Sequence, residues 1–268
     1  MQYSNIHTHT TYSDGKNSPE EMARKAISLG FVSLGFSDHS ETVYDAPYCL
    51  SNSDIPSYRD HIRSLSRQLE GEIEVLCGIE KDALSEIDPE GFDYVIGSVH
   101  YLVRGEDWIS IDRGEHFQKK ALAEHFGGDR MEFAKRYYEA VVNHAYTKSF
   151  SVLGHFDLIT KFGFFDDLGE AYEKLAQEAM EEVLRYVPYV EINTGAISRG
   201  FRNDPYPSRF LLELVLKKGG RVVVNSDAHC AEHLDTHFDK SLSLLREVGF
   251  SSLWQLRKGG FAELSLLE

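Results

Sequence analysis

A chain of 268 residues with 42% hydrophobic and 26% charged side chains has the size of a (β/α) barrel and ample apolar surface to bury a core. Its formal net charge of −15 argues against a nucleic-acid or anionic-membrane surface, because no basic patch is available to neutralise phosphates. A small anionic substrate stays open, since bound divalent cations would reverse the local sign. No apolar run approaches ~20 residues, so no membrane span is expected, and the N-terminus lacks the basic-then-apolar pattern of a signal peptide. Cys49, Cys77 and Cys230 show neither CxxC spacing nor an even disulfide framework, which points to a reduced, cytoplasmic setting. Without low-complexity segments or an obvious linker, residues 1–268 read as one domain.

Strand and helix signals alternate. A strand-like run from Tyr3 to Ile6 leads into His7-Thr8-His9, whose two imidazoles point the same way because extended backbone repeats every second residue. Ser18-Pro19-Glu20-Glu21 has the marks of a helix start, and Gly30 those of its stop. Phe31 to Phe36 is β-favouring and ends in Ser37-Asp38-His39. Ser57 to Glu70 reads as a helix, and Ile73 to Leu76 as a strand running into Gly78-Ile79-Glu80. Phe92 to Ile96 is another strand, ending in Gly97-Ser98-Val99-His100. Tyr101 to Asp129 is less regular. Arg130 to Thr147 is helical, and Ser151 to Leu153 reaches Gly154-His155. A helix over Glu170 to Arg185 precedes a strand from Tyr189 to Ile192, and a helix over Ser208 to Lys218 precedes one from Arg221 to Val224. The latter ends in Asn225-Ser226-Asp227-Ala228-His229. A last helix, about Asp239 to Val248, is followed by a final apolar stretch.

Seven strand-like runs separated by helices predict parallel strands with crossover helices. His7, His9, His39, Glu80, His100, His155, Asp227 and His229 all follow a strand, where the rim of a barrel would gather them. With Asp14 they form a set of imidazoles and carboxylates without thiolate, suited to Zn²⁺, Fe or Mn²⁺. Nine ligands exceed the needs of one ion, so two or three are expected, with Glu80 bridging a pair. Metal ions ~3.5–4 Å apart are the usual equipment for displacement at phosphorus. Asp14 also fits an ordinary Ser-Asp-Gly turn. His61 and His144 lie within predicted helices, and His116, His125, His233 and His237 follow no strand, so these six read as surface or packing residues.

The motifs His7-Thr8-His9, Ser37-Asp38-His39, Gly78-Ile79-Glu80, Gly97-Ser98-Val99-His100, Gly154-His155 and Ser226-Asp227-Ala228-His229 together resemble the PHP (polymerase and histidinol phosphatase) family over nearly the whole chain. The resemblance implies a distorted (β/α)₇ barrel with a trinuclear metal centre. It implies one ion on His7, His9, Glu80 and Asp227, a second on Glu80, His100 and His155, and a third on His39 and His229. The family often supplies a further histidine to the third ion, where this sequence has Asp14; either Asp14 takes that place or the third site is weaker. Size and layout look most like the stand-alone histidinol-phosphate phosphatases of histidine biosynthesis, a branch whose relatives include phosphoesterases acting on nucleotides and other esters.

The expected chemistry is metal-assisted hydrolysis of a small phosphate monoester. Asp14, Asp227 and His229 are the candidates for the general acid, while Arg199 and Lys161 could clamp the phosphate. The segment from Tyr101 to Gly128, with Trp108, Phe117 and Phe126, could fold over the rim and contact the organic part. Two rival readings are a metal-dependent amidohydrolase, which would bridge its ions with a modified lysine, and a non-catalytic metal module with closed coordination. Oligomeric state is not legible.

Overall fold

A computed structural model describes residues 3–267. In chain order the elements are β1 (Ser4–Asn5), α1 (Pro19–Ser28), β2 (Ser33–Phe36), α2 (Ile55–Gln68), β3 (Glu74–Asp82), β4 (Tyr94–Ser98), β5 (Tyr101–Arg104), β6 (Asp107–Ser110), α3 (Glu115–Phe126), α4 (Arg130–Tyr146), β7 (Val152–Leu153), α5 (Glu170–Val183), β8 (Tyr189–Asn193), α6 (Gly195–Ser198), α7 (Arg209–Lys217), β9 (Arg221–Asn225), α8 (Phe238–Val248), β10 (Ser252–Arg257) and β11 (Gly260–Ser265). Among the described residues, seven parallel strands form one sheet in the order β1-β2-β3-β4-β7-β8-β9. Its two edges meet where His9 N donates to Ala228 O (2.9 Å) and Ala228 N to His7 O (3.2 Å). The sheet is thereby a nearly closed, distorted (β/α)₇ barrel, with the parallel strands that the alternation of signals predicts and the architecture that the family resemblance implies.

Local chemistry explains the element ends. The Ser18 hydroxyl accepts from Glu21 N (3.3 Å) while the Glu21 carboxylate accepts from Ser18 N (2.9 Å), a reciprocal cap that starts α1 at Pro19. Asp129 likewise accepts from Glu132 N at the start of α4 (3.0 Å). Both helices then bury apolar faces, Met22, Ala23 and Ala26 from α1 and Phe133, Tyr137 and Val141 from α4.

β3 departs from expectation. It runs on past Leu76 to Asp82, so Glu80 sits inside the strand and not after it. Residues 74–77 pair with β2 and residues 78–82 with β4, so the strand changes partner half-way along. The Tyr94 ring occupies the barrel interior at this crossover and donates its hydroxyl to Ile6 O (2.6 Å). A Cβ on Gly35 or Gly78 would run into that ring. Gly78→Ala is therefore expected to lower unfolding free energy by about 1–3 kcal/mol through overpacking, read from denaturant midpoints.

Two stretches hold more order than their sequence suggests. The less regular segment folds as the antiparallel hairpin β5–β6 followed by α3. The final apolar stretch is the antiparallel hairpin β10–β11, whose Leu256, Trp254 and Phe261 pack with Ile6, Leu76, Ile96, Val152 and Val223 and seal the barrel floor. No helix among the described residues is long and apolar enough to cross a membrane.

His144 is a packing residue, as expected. It is buried beside Phe150 (4.5 Å between ring centres), with Nε2 3.2 Å from Lys81 O. Burial pushes its pKa down to about 4. An unfolded imidazole titrates near 6.5, so the unfolded chain binds this proton first as pH falls. The associated stability is full above pH 6.5 and is lost between 6.5 and about 4, by roughly 3 kcal/mol at most. His144→Gln should flatten that part of the acid limb in Tm against pH.

Candidate metal centre

The rim gathers every ligand expected from the sequence. His7 and His9 leave β1 fully buried, held because Thr8 Oγ1 donates to Gly35 O (2.7 Å) and His7 N to Asn5 Oδ1 (3.1 Å). The loop carrying Asp14 is pinned by buried Asp38, which accepts from Thr10 N (2.7 Å), Thr10 Oγ1 (2.9 Å) and Ser13 Oγ (2.6 Å). Asp227 stands at φ +51°, a left-handed conformation that Asp tolerates better than most residues.

Glu80 is the hub. Its Oε1 lies 3.0 Å from His155 Nε2, 3.4 Å from His7 Nε2 and 3.4 Å from His100 Nε2. Its Oε2 lies 2.7 Å from His39 Nδ1 and 3.7 Å from His9 Nε2, and Ser98 Oγ donates to Oε1 at 2.6 Å. Asp227 Oδ1 is 3.2 Å from His9 Nε2 and 3.7 Å from His7 Nε2. Asp14 stands by the third pair, with Oδ2 3.2 Å from His229 Nε2 and Oδ1 3.7 Å from His39 Nε2. Ligand atoms therefore fall into groups spanning no more than 4.8 Å: His7/Glu80/His155, His7/His9/Asp227, His39/Glu80/His100 and His9/Asp14/His39/His229. Of the two possibilities left by the sequence, this places Asp14 where a further ligand to the third group would stand.

These residues fit divalent cations. His7 Nε2 and His9 Nδ1 are buried with no hydrogen-bond partner among the described residues, an arrangement costly in a protein interior unless something else fills the role. The donors are imidazole nitrogens and carboxylate oxygens, the set that Zn²⁺, Fe and Mn²⁺ accept. Burial and the neighbouring His229 and His39 push the His9 pKa down to about 3, leaving it neutral. Burial opposes ionisation of Glu80, but the imidazoles of His7, His39 and His100 outweigh it and hold the carboxyl well below its usual range. At Asp227 the same burial is outweighed by Arg199 and His7.

Beyond the ligands, Arg199 lies in the rim with Nη2 2.9 Å from Asp227 Oδ2 and Nη1 3.2 Å from His229 Nδ1. Gly195 leaves room for this pairing, since a Cβ there would lie 2.8 Å from both Arg199 Nη2 and Asp227 Oδ2. Lys161 is buried, and its Nζ is 3.0 Å from both the carbonyl and the carboxylate of Asp112. Lys16, Lys161 and Arg199 share with His155 and His229 a cavity of about 370 Å³. A second cavity of about 250 Å³ opens on the other side of His39 and His100, lined by Asp45, Tyr101, Asp112 and Arg113.

The inserted segment thus reaches the rim through Tyr101, Asp112 and Arg113. Of Trp108, Phe117 and Phe126, Trp108 meets Tyr44 at the surface and Phe117 is exposed. Phe126 turns the other way, stacking on Phe133 in the core (4.4 Å), because the apolar side of α3 faces α4. Among the six histidines set aside, His61 contacts Tyr12 and Glu20 (2.8 and 2.6 Å), and His233 lines the larger cavity. Sequence reasoning passed over Asp38, Asp82 and Glu191. Asp82 accepts from His100 N (2.9 Å) and faces its Nδ1 (3.2 Å). A charged residue inside the otherwise apolar run 189–192 was the one signal for Glu191.

A curated relative, the "Probable histidinol-phosphatase" of Deinococcus radiodurans, is 29% identical over 260 residues, covering 91% of this chain and 92% of its own. That of Schizosaccharomyces pombe is 27% identical over 264 residues, covering 90% and 84%. Among solved structures, a histidinol phosphate phosphatase from Lactococcus lactis complexed with Zn, L-histidinol and phosphate superposes with a TM-score of 0.69 at 21% identity, covering 97% of this chain and 99% of that one; it shares the fold. The PHP domain profile matches residues 5–195, which is more than half of the sequence, and the chain belongs to the PHP domain family.

Proposed function

We propose that this protein is a metal-dependent phosphomonoesterase that hydrolyses L-histidinol phosphate to L-histidinol and phosphate, as its curated relatives are named to do. The observation that carries the reading is the juxtaposition at the rim. A carboxylate surrounded by five imidazoles, Glu80 with His7, His9, His39, His100 and His155, adjoins a cavity with Lys16, Lys161 and Arg199 on its walls. In a chain of net charge −15, such a concentration of cationic and cation-binding groups suits a phosphate dianion. The rival amide chemistry would call for a bridging lysine, and Glu80 occupies that central position.

His7, His9, Glu80 and Asp227 would hold one ion, Glu80, His100 and His155 a second, and Asp14, His39 and His229 a third. When bound, such ions supply positive charge for the phosphoryl oxygens and acidify attacking water. Arg199 presents a planar fork to the phosphate, exchanging Asp227 for substrate oxygens. Lys161, anchored by Asp112, adds a second positive charge. The departing alkoxide needs a proton. Asp14, Asp227 and His229 all border the cavity and are the candidates for that role.

Steady-state kinetics of the Mn²⁺- or Zn²⁺-loaded protein on L-histidinol phosphate, beside nucleotide and sugar phosphates and cyclic amides, tests the assignment. We expect kcat/KM to be highest for L-histidinol phosphate and activity to vanish on chelation. Preference by orders of magnitude for another ester would move the substrate, and turnover of amides alone would remove the phosphatase reading.

A further inference from the structure

Glu191 sits in the middle of β8, fully buried, where Val190 and Ile192 on either side face the helices and join the outer core. Alternation along the strand turns Glu191 and Asn193 into the barrel interior, directly under the candidate metal ligands. A carboxylate in such a place is costly unless its lone pairs are met. Here all are met, and by donors only. Oε1 lies 2.6 Å from His7 Nδ1 and accepts from Asn225 Nδ2 (2.9 Å). Oε2 accepts from His155 N (2.9 Å) and Asn193 Nδ2 (2.9 Å).

Each partner is itself fixed. Asn225 Oδ1 accepts from Ile6 N (2.9 Å), the residue before His7, and Asn193 Oδ1 accepts from Gly195 N (2.8 Å). One carboxylate thus ties together the ring of His7, the backbone that delivers His155, and the seam between the first and last barrel strands. Because a carboxylate only accepts, it requires the Nδ1 of His7 to carry the hydrogen. His7 Nε2 is then left as a bare acceptor facing Glu80 and Asp227, and it is the nitrogen with no hydrogen-bond partner among the described residues.

We propose that Glu191 is a positioning residue of the metal centre, which selects the Nδ1–H form of His7, aims Nε2 at the cations, and sets the height at which His155 enters the rim. This rests on the metal-binding part of the reading above and not on its substrate. A neutral isostere cannot substitute. Gln would offer one oxygen and one NH₂, so two of the four donors would meet a donor in place of an acceptor.

Two measurements test it, neither of them enzymatic. In competition with a chromophoric chelator for Zn²⁺, Glu191→Gln is expected to bind its tightest ion 10–100-fold more weakly, the usual cost of removing a carboxylate behind a ligating histidine, while the metal-free variant keeps a wild-type circular dichroism spectrum. An unchanged competition curve in a folded variant would overturn the proposal. Long-range ¹H–¹⁵N correlation on the Zn²⁺-loaded wild type needs no variant to fold: His7 should show a protonated Nδ1 and a coordinated Nε2, and the reverse assignment would overturn the idea. A protein that passes both tests yet turns over no phosphate ester would refute the proposed activity and leave this role of Glu191 standing.

Discussion

Glu80→Gln is expected to reduce kcat/KM on phosphate monoesters by about 10⁴-fold, corresponding to about 5 kcal/mol at 1.36 kcal/mol per decade, and to lower metal content measured by elemental analysis. Two of the four groups of candidate ligands, His7/Glu80/His155 and His39/Glu80/His100, share this one carboxylate. An amide in its place keeps one acceptor but removes the negative charge that offsets clustered cations, and several kcal/mol of electrostatic stabilisation rest on such clusters. Ser98, which donates to Oε1, would meet the new NH₂ in one of its two orientations. A folded Glu80→Gln protein with wild-type metal content and rate would remove Glu80 from the centre.

Arg199→Lys is expected to cost almost as much as Arg199→Ala, with kcat/KM reduced roughly 30–150-fold, the size of a lost charge-assisted hydrogen bond of about 2–3 kcal/mol. Charge alone would be kept by lysine, but the fork would not. In the structure Nη2 engages Asp227 while Nη1 reaches His229, a two-point geometry that a single ammonium cannot reproduce. The effect should fall mainly on the phosphate, so L-histidinol, which lacks that group, should inhibit both variants with an unchanged inhibition constant. A lysine variant at wild-type rate would show that Arg199 acts only as a positive charge, or not at all.

The meeting of the candidate ligands at one rim was readable because a parallel barrel makes sequence position informative. Whatever follows a strand lands on one rim, so His39 and His155, 116 positions apart by their numbers, could be placed together before any coordinates. The support beneath them was not readable in the same way. Glu191 lies inside a strand, and Asp38 and Asp82 each stand next to or two residues from a ligand, where an acid reads as part of the motif or as a loop charge. Their roles depend on which backbone amides and ring nitrogens come within 3 Å, a matter of barrel closure and not of pattern. The inserted segment looked irregular because β5 and β6 are short and half exposed, so alternation was too brief to register. The extension of β3 through Glu80 was hidden by Gly78, which weakens a strand signal yet is required by the Tyr94 ring.

The seam between β1 and β9 has a consequence for biosynthesis. His7 and His9 emerge from the ribosome more than two hundred residues ahead of Asp227 and His229. The edges join through the amides of His9 and Ala228 and through Asn225, which accepts from Ile6 N, so a nascent polypeptide holds the early imidazoles without their late carboxylate until β9 has been made. Contacts so distant along the chain form slowly, and the groups of ligands that include Asp227 or His229 can be complete only after that strand clears the exit tunnel.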